Sequence, residues 1–192
     1  MIRSLYDWTL GLARHPQALW ALALVSFVES SFFPIPPDIL MIPMILAAPS
    51  RAFLIASVAL VASVLGGVAG YGIGMFAFEQ LGRPILESLG KAEAMAEFST
   101  RFNDMGFWAV LTAGVTPFPY KVITIMSGWT GMSLGTFVAT SILARGLRFF
   151  VVAGLLWKFG PPIRDFIERR LGLMFTLAVL LLLGGFAAVR FL

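Results

Sequence analysis

The chain contains no cysteine, which excludes disulfides and thiolate metal sites and leaves redox compartment unread. Its single histidine, His15, excludes Ser-His-Asp triads and multi-histidine metal centres. There is no HExxH and no histidine near a cationic cluster, so an intramembrane phosphatase or protease is not expected, and neither is a metal or cofactor; only an Asp-based mechanism stays open. Charge is scarce too. Asp, Glu, Lys and Arg make up 12% of the 192 residues, against about 25% in a soluble domain.

What is present is apolar: 59% hydrophobic residues and a mean hydropathy of +0.90 mark an integral membrane protein. The net charge of +4 and pI near 10 would suggest nucleic acid in a soluble chain. Here basic loops meeting anionic lipid account for them, and nucleic acid is not expected as a partner. Met1 to Arg14 mixes Arg3, Asp7 and Arg14 with Leu5, Trp8 and Leu12 at helical spacing and has no small-residue cleavage site. It reads as an interfacial helix (1–14) entering the membrane at His15-Pro16, not as a signal peptide.

A helical span needs about 20 residues. Ala52–Phe78, Leu134–Phe159 and Leu171–Val189 meet that length. The stretches Gln17–Ala48 and Gly106–Met126 are instead split by Pro34, Pro36 and Pro37 and by Pro117 and Pro119. Proline removes a backbone donor and breaks a helix, so each stretch reads as a re-entrant helical hairpin turning at its prolines. The two match at an offset of 83, which carries Pro34 to Pro117, Pro36 to Pro119, Asp38 to Lys121 and Ser50 to Ser133. Such a repeat points to a midplane binding site between two halves.

The expected fold is an all-α polytopic membrane protein, a single domain over 1–192. Two inverted re-entrant hairpins are each followed by a long transmembrane helix (repeats 17–80 and 106–159), joined by an external surface helix (82–104) and followed by a C-terminal span (171–190). Arg3, Arg14, Arg51, Lys158, Arg164, Arg169 and Arg170 then lie inside, and Arg83, Lys91, Arg101 and Arg190 outside. That imbalance sets the N-terminus in the cytoplasm.

Five charges fall within this apolar sequence: Glu29, Asp38, Lys121, Arg145 and Arg148. Each would cost about 2.5–3.5 kcal/mol at a lipid-facing helix centre, so they line a polar path. One cation is in surplus, which suits an anionic ligand. Glu29 reads as a proton-coupling acid or as a structural partner of an arginine. Asp38, next to Pro37, reads as a cap on the second half-helix that also helps set the field at the hairpin tip. Arg145 and Arg148, three apart on one helix face, fit a phosphate in bidentate fashion or neutralise the two acids. Lys121 adds a point charge or snorkels towards water. Gly66, Gly70 and Gly74 follow the small-xxx-small spacing of close helix packing, not a nucleotide loop.

Glu29-Ser-Ser-Phe-Phe-Pro-Ile-Pro-Pro-Asp38, Gly66-Gly-Val-Ala-Gly-Tyr-Gly-Ile-Gly74 and Thr116-Pro-Phe-Pro-Tyr-Lys121 together resemble the DedA family, also called the VTT-domain or SNARE-associated membrane family. The resemblance spans about Ala23 to Phe159. It implies paired re-entrant hairpins and transbilayer movement of lipids, polyisoprenyl phosphates or phospholipids, with proton coupling through Glu29 and Asp38. The second half departs from the family's G-R-F-x-P-G-x-R pattern, reading Gly114-Val-Thr-Pro-Phe-Pro-Tyr-Lys121. Arg145-Gly-Leu-Arg148 followed by Phe149-Phe150 resembles a compact, YqaA-like branch. The expected function is a flippase or scramblase of lipids with an anionic phosphate head group in a bacterial inner membrane, with membrane lipids and protons as partners and Arg145, Arg148 and Lys121 on the phosphate. The rival is a proton-coupled ion or small-cation exchanger.

Overall fold

In the computed structural model, residues 17–33, 35–90, 92–116 and 119–169 are described. The interfacial helix 1–14, the C-terminal span 171–190, Pro34 and Pro117 lie outside the described residues. In chain order the helices are α1 (Ala18–Ser31), α2 (Asp38–Ala47), α3 (Ala52–Ala77), α4 (Arg83–Ser88), α5 (Ala92–Asp104), α6 (Gly106–Val115), α7 (Tyr120–Trp129) and α8 (Leu134–Arg169). A 3-10 turn at Pro49–Arg51 leads into α3, and a π turn at Phe78–Gly82 joins α3 to α4. No strand occurs among the described residues.

Two runs are long and apolar enough to cross a membrane, Pro49–Ser88 with 40 residues and Leu134–Gly160 with 27. They pack antiparallel. The Phe53 ring meets Phe150 and Trp157, Ser63 meets Arg145, and Tyr71 meets Phe137. The outer faces stay apolar: Leu54, Val61 and Leu65 on α3 and Ile142, Leu143, Leu147, Val151 and Leu155 on α8 are all exposed. An apolar surface of that extent suits hydrocarbon and not water.

The four short helices form two pairs, each broken where the sequence places its prolines. In the first, Pro36 and Pro37 cannot donate to the preceding turn, and α1 closes with the Phe32 and Phe33 amides both bonded to the Val28 carbonyl. Ala18 and Leu22 of α1 pack with Ala52, Ile55 and Ala56 at the start of α3, while Glu29 and Ser30 reach the middle of the long helices. From there α2 returns, starting at Asp38 beside Arg148 and finishing with Leu46 against Gly160. The second pair does the same from the other end. Gly106 of α6 lies against Met132 and Gly114 against Ala144; α7 starts with Tyr120 on Ser141 and finishes with the Trp129 ring on Phe78. Each hairpin thus occupies half the height of the α3–α8 pair, with its tip at mid-height. The offset of 83 carries Asp38–Ala47 to 121–130 and Ala52 to 135, against observed helices that begin at Tyr120 and Leu134.

Two boundaries differ from the sequence expectation: α8 runs on to Arg169, past the expected end at Phe159, and the surface helix starts later than expected. The surface helix was expected over 82–104, but Gly82 lies inside the continuing π turn and the long helix runs on to Ser88. Pro84 sits where the π turn passes into α4 and the regular hydrogen-bond ladder is already shifted, and the reversal waits for Gly90, whose φ of 65° favours glycine. Only α5 follows. It is latched to the α7–α8 turn by Asn103, which donates to the Thr130 carbonyl at 2.9 Å and accepts from the Thr130 hydroxyl at 3.1 Å.

Apolar side chains fill both ends of the bundle. One cluster joins Leu22, Met41, Ile45, Ala56, Phe149 and Leu156, the other Val110, Tyr120, Met132 and Phe137. In lipid such contacts gain by close packing and not by escape from water, so small residues matter. A Cβ on Gly66 would overlap the Phe27 carbonyl, one on Gly70 the Thr124 hydroxyl, and one on Gly74 the Ile125 carbonyl. Gly74→Ala is therefore expected to push α7 off α3 and lower stability by about 1–3 kcal/mol. Thermal unfolding in detergent measures this, and an unchanged midpoint would contradict the close α3–α7 contact.

Candidate functional site

The site lies between the two apolar clusters and is built on α8. Arg145 is about 16 Å along the helix from Leu134 and about 22 Å from Gly160, so both arginines sit near mid-span. Three residues apart, they share a face but meet different hairpin surroundings.

Arg145 is enclosed. Its Nη2 donates to Glu29 Oε2 at 2.7 Å and its Nε to Ser63 Oγ at 2.7 Å. The guanidinium also lies over the Tyr120 and Phe149 rings, 4.8 and 4.7 Å from their centroids. Desolvated contacts of this kind are worth about 2 kcal/mol. The Arg145 and Glu29 side chains are only 2% and 14% exposed. Ser30 ties the set together, lying 2.7 Å from Ser63 Oγ and donating to Glu29 Oε2 at 3.1 Å. Tyr120 is held in turn by its hydroxyl bond to Ser141. A buried charge in an apolar bundle requires such partners on every side.

Arg148 is more open. Its Nη2 donates to Asp38 Oδ2 at 2.6 Å and its Nη1 to the Thr116 carbonyl at 3.1 Å, and this ion pair is 24% and 19% exposed. Asp38 belongs to the first hairpin and Thr116 to the end of α6 in the second, so one guanidinium bridges both tips. A second link is buried: the Thr124 hydroxyl lies 3.1 Å from the Ser30 carbonyl and 2.8 Å from the Lys121 carbonyl, its one proton shared between the two acceptors.

The acids and arginines singled out from sequence thus come together, and in one specific pairing, Glu29 with Arg145 and Asp38 with Arg148. The capping role expected for Asp38 is corrected. Pro37 holds the cap position of α2, Asp38 is already its first helical residue, and no side chain bonds to the first-turn amides. A residue inside the helix turns its carboxylate outward, here onto Arg148, while still complementing the helix dipole. Lys121 is the second residue of α7, partly buried, and its ammonium pairs with no acid among the described residues. Also among the described residues, no group of three His, Cys, Asp or Glu side chains is placed to hold a metal ion.

Sequence reasoning missed the neutral partners Ser30, Ser63, Thr116, Thr124, Tyr120 and Ser141. A signal existed for some of them: Ser63 is a hydroxyl inside the long apolar run 52–78, and Tyr120 precedes Lys121. Neither pattern names its partner.

The VTT domain family model matches residues 35–158, more than half of the chain. An uncharacterized protein of Haemophilus influenzae is 38% identical over 169 residues, covering 86% of this chain and 88% of that protein. An uncharacterized protein of Histophilus somni shows the same identity and coverage. No solved structure matches the chain.

Proposed function

The chain belongs to the VTT-domain (DedA) family of membrane proteins, generally transporters and not enzymes, and we propose that it moves lipids with an anionic phosphate head group across the bilayer as a flippase or scramblase. In this reading α3 and α8 span the membrane, α1–α2 and α6–α7 are inverted re-entrant hairpins, and their tips frame a midplane site. The N-terminus lies in the cytoplasm of a bacterial inner membrane, and α5 lies along the opposite surface. No covalent step is involved.

The observation that carries the reading is the convergence of Glu29, Asp38, Arg145 and Arg148 at mid-height of the α3–α8 pair, with Lys121 at the adjoining tip as a cation that pairs with no acid among the described residues. Two acids and three cations leave one positive charge to be met by a ligand, and phosphate oxygens suit both guanidinium and ammonium donors. A cation exchanger would need the reverse surplus. Glu29 and Asp38 are the acids to which proton coupling would attach. The head group passes between the tips while its chains stay against the apolar outer faces.

The test is transbilayer movement of acyl-labelled phosphatidylglycerol in vesicles containing the purified protein, followed by chemical quenching of the outer leaflet. Faster exchange than in empty vesicles is expected. Lys121→Ala should slow it about tenfold, the loss of one charge-assisted contact, and Lys121→Arg should restore most of it. Ionic current without lipid movement would replace this reading with ion exchange.

A further inference from the structure

We propose that Asp38 occupies, in the empty site, the position on Arg148 that a lipid phosphate takes, and that the exchange of carboxylate for phosphate unlocks the two hairpin tips. The inference rests on the phosphate reading above and specifies how the ligand gains the site.

The two arginines are not equivalent receivers. Arg145 has its Nη2 and Nε committed to Glu29 and Ser63 and lies over the Tyr120 and Phe149 rings, so a ligand reaches it only by dismantling the core. Arg148 meets Asp38 in a partly open ion pair, and its other Nη holds only the Thr116 carbonyl. A carboxylate and a phosphate use the same planar fork. Replacing one by the other keeps Arg148 paired throughout, which avoids a bare guanidinium at mid-span.

The exchange has a mechanical consequence. Arg148 is the charged tie between the tips, through Asp38 on one side and Thr116 on the other. Once its Nη2 turns to phosphate, the first tip is held to the second only by the Thr124 to Ser30 bond among the side-chain hydrogen bonds described. A monoanionic phosphate also brings the five-group set to neutrality. The surroundings favour an amphiphile over free phosphate: Phe32, Phe33, Ile35 and Ile39 on the first tip and Val115 and Val122 on the second are all exposed.

The full chain in dodecyl maltoside is titrated with dodecyl phosphate, read by intrinsic tryptophan fluorescence. Asp38→Asn removes the internal competitor and is expected to tighten binding about tenfold, whereas Arg148→Gln abolishes it and inorganic phosphate gives no response at millimolar levels. If the unaltered chain binds and Asp38→Asn binds no tighter, the exchange is overturned while the phosphate reading stands. If neither binds, both fall. Equal binding of inorganic phosphate overturns the lipid assignment but leaves the exchange in place. The chain is naturally free of cysteine, so spin labels at Phe33→Cys and Val122→Cys report the tips directly. Dodecyl phosphate should lengthen their separation, and an unchanged distance distribution overturns the unlocking even if Asp38→Asn fails to fold.

Discussion

Arg145→Ala is expected to abolish lipid translocation and to lower stability by about 3–5 kcal/mol, the cost of stripping a buried ion pair of one partner. The loss has three parts. Glu29 keeps only Ser30 as a hydrogen-bond donor, the Ser63 hydroxyl loses its donor, and a fully buried volume between Tyr120 and Phe149 empties. Arg145→Lys should recover only part of it, since an ammonium cannot meet Ser63 and Glu29 from two fixed edges while stacking on rings. Arg145→Met combined with Glu29→Gln removes both charges together, so stability should largely return while translocation does not. Thermal unfolding in detergent and the vesicle assay report the two properties separately. A double variant as unstable as Arg145→Ala would mean that the pair is not the source of the loss.

That coupling of α1 to α8 across 116 residues of sequence separation was legible only in part. The charged residues stood out because an apolar chain has few, and the breaks stood out because proline cannot continue a helical ladder. The long helices followed from length and hydropathy, and the glycines from spacing. What did not follow was pairing. Glu29 with Arg145 and Asp38 with Arg148 is one of two ways to match the acids to the two arginines, and one of six once Lys121 is counted; the choice depends on which arginine faces Ser63 and which faces the tips, a matter of helix rotation that composition does not encode. The capping expectation for Asp38 failed on a single residue of helix register, and the surface-helix boundary failed because Gly82 is tolerated inside a π turn.

Arg148→Ala should separate function from folding, with translocation reduced at least about a hundredfold, as expected when a close charge pair with the ligand is lost. Its stability cost should be smaller than that of Arg145→Ala, because the Arg148 and Asp38 side chains are less enclosed than Arg145 and Glu29 and Asp38 retains the favourable field of the α2 N-terminus. The neighbouring arginines would then differ in kind: one side chain holds the bundle and the other handles the ligand. Arg148→Lys keeps a point charge but cannot hold Thr116 and Asp38 from two nitrogens in a plane. An intermediate rate, about tenfold below the native chain, is therefore expected, with little change in unfolding. If Arg148→Ala moves lipid at the native rate, the phosphate does not pass this guanidinium, and Lys121 with the α7 N-terminus would have to receive it instead. If it unfolds as readily as Arg145→Ala, the difference in burial between the two pairs does not translate into a difference in role.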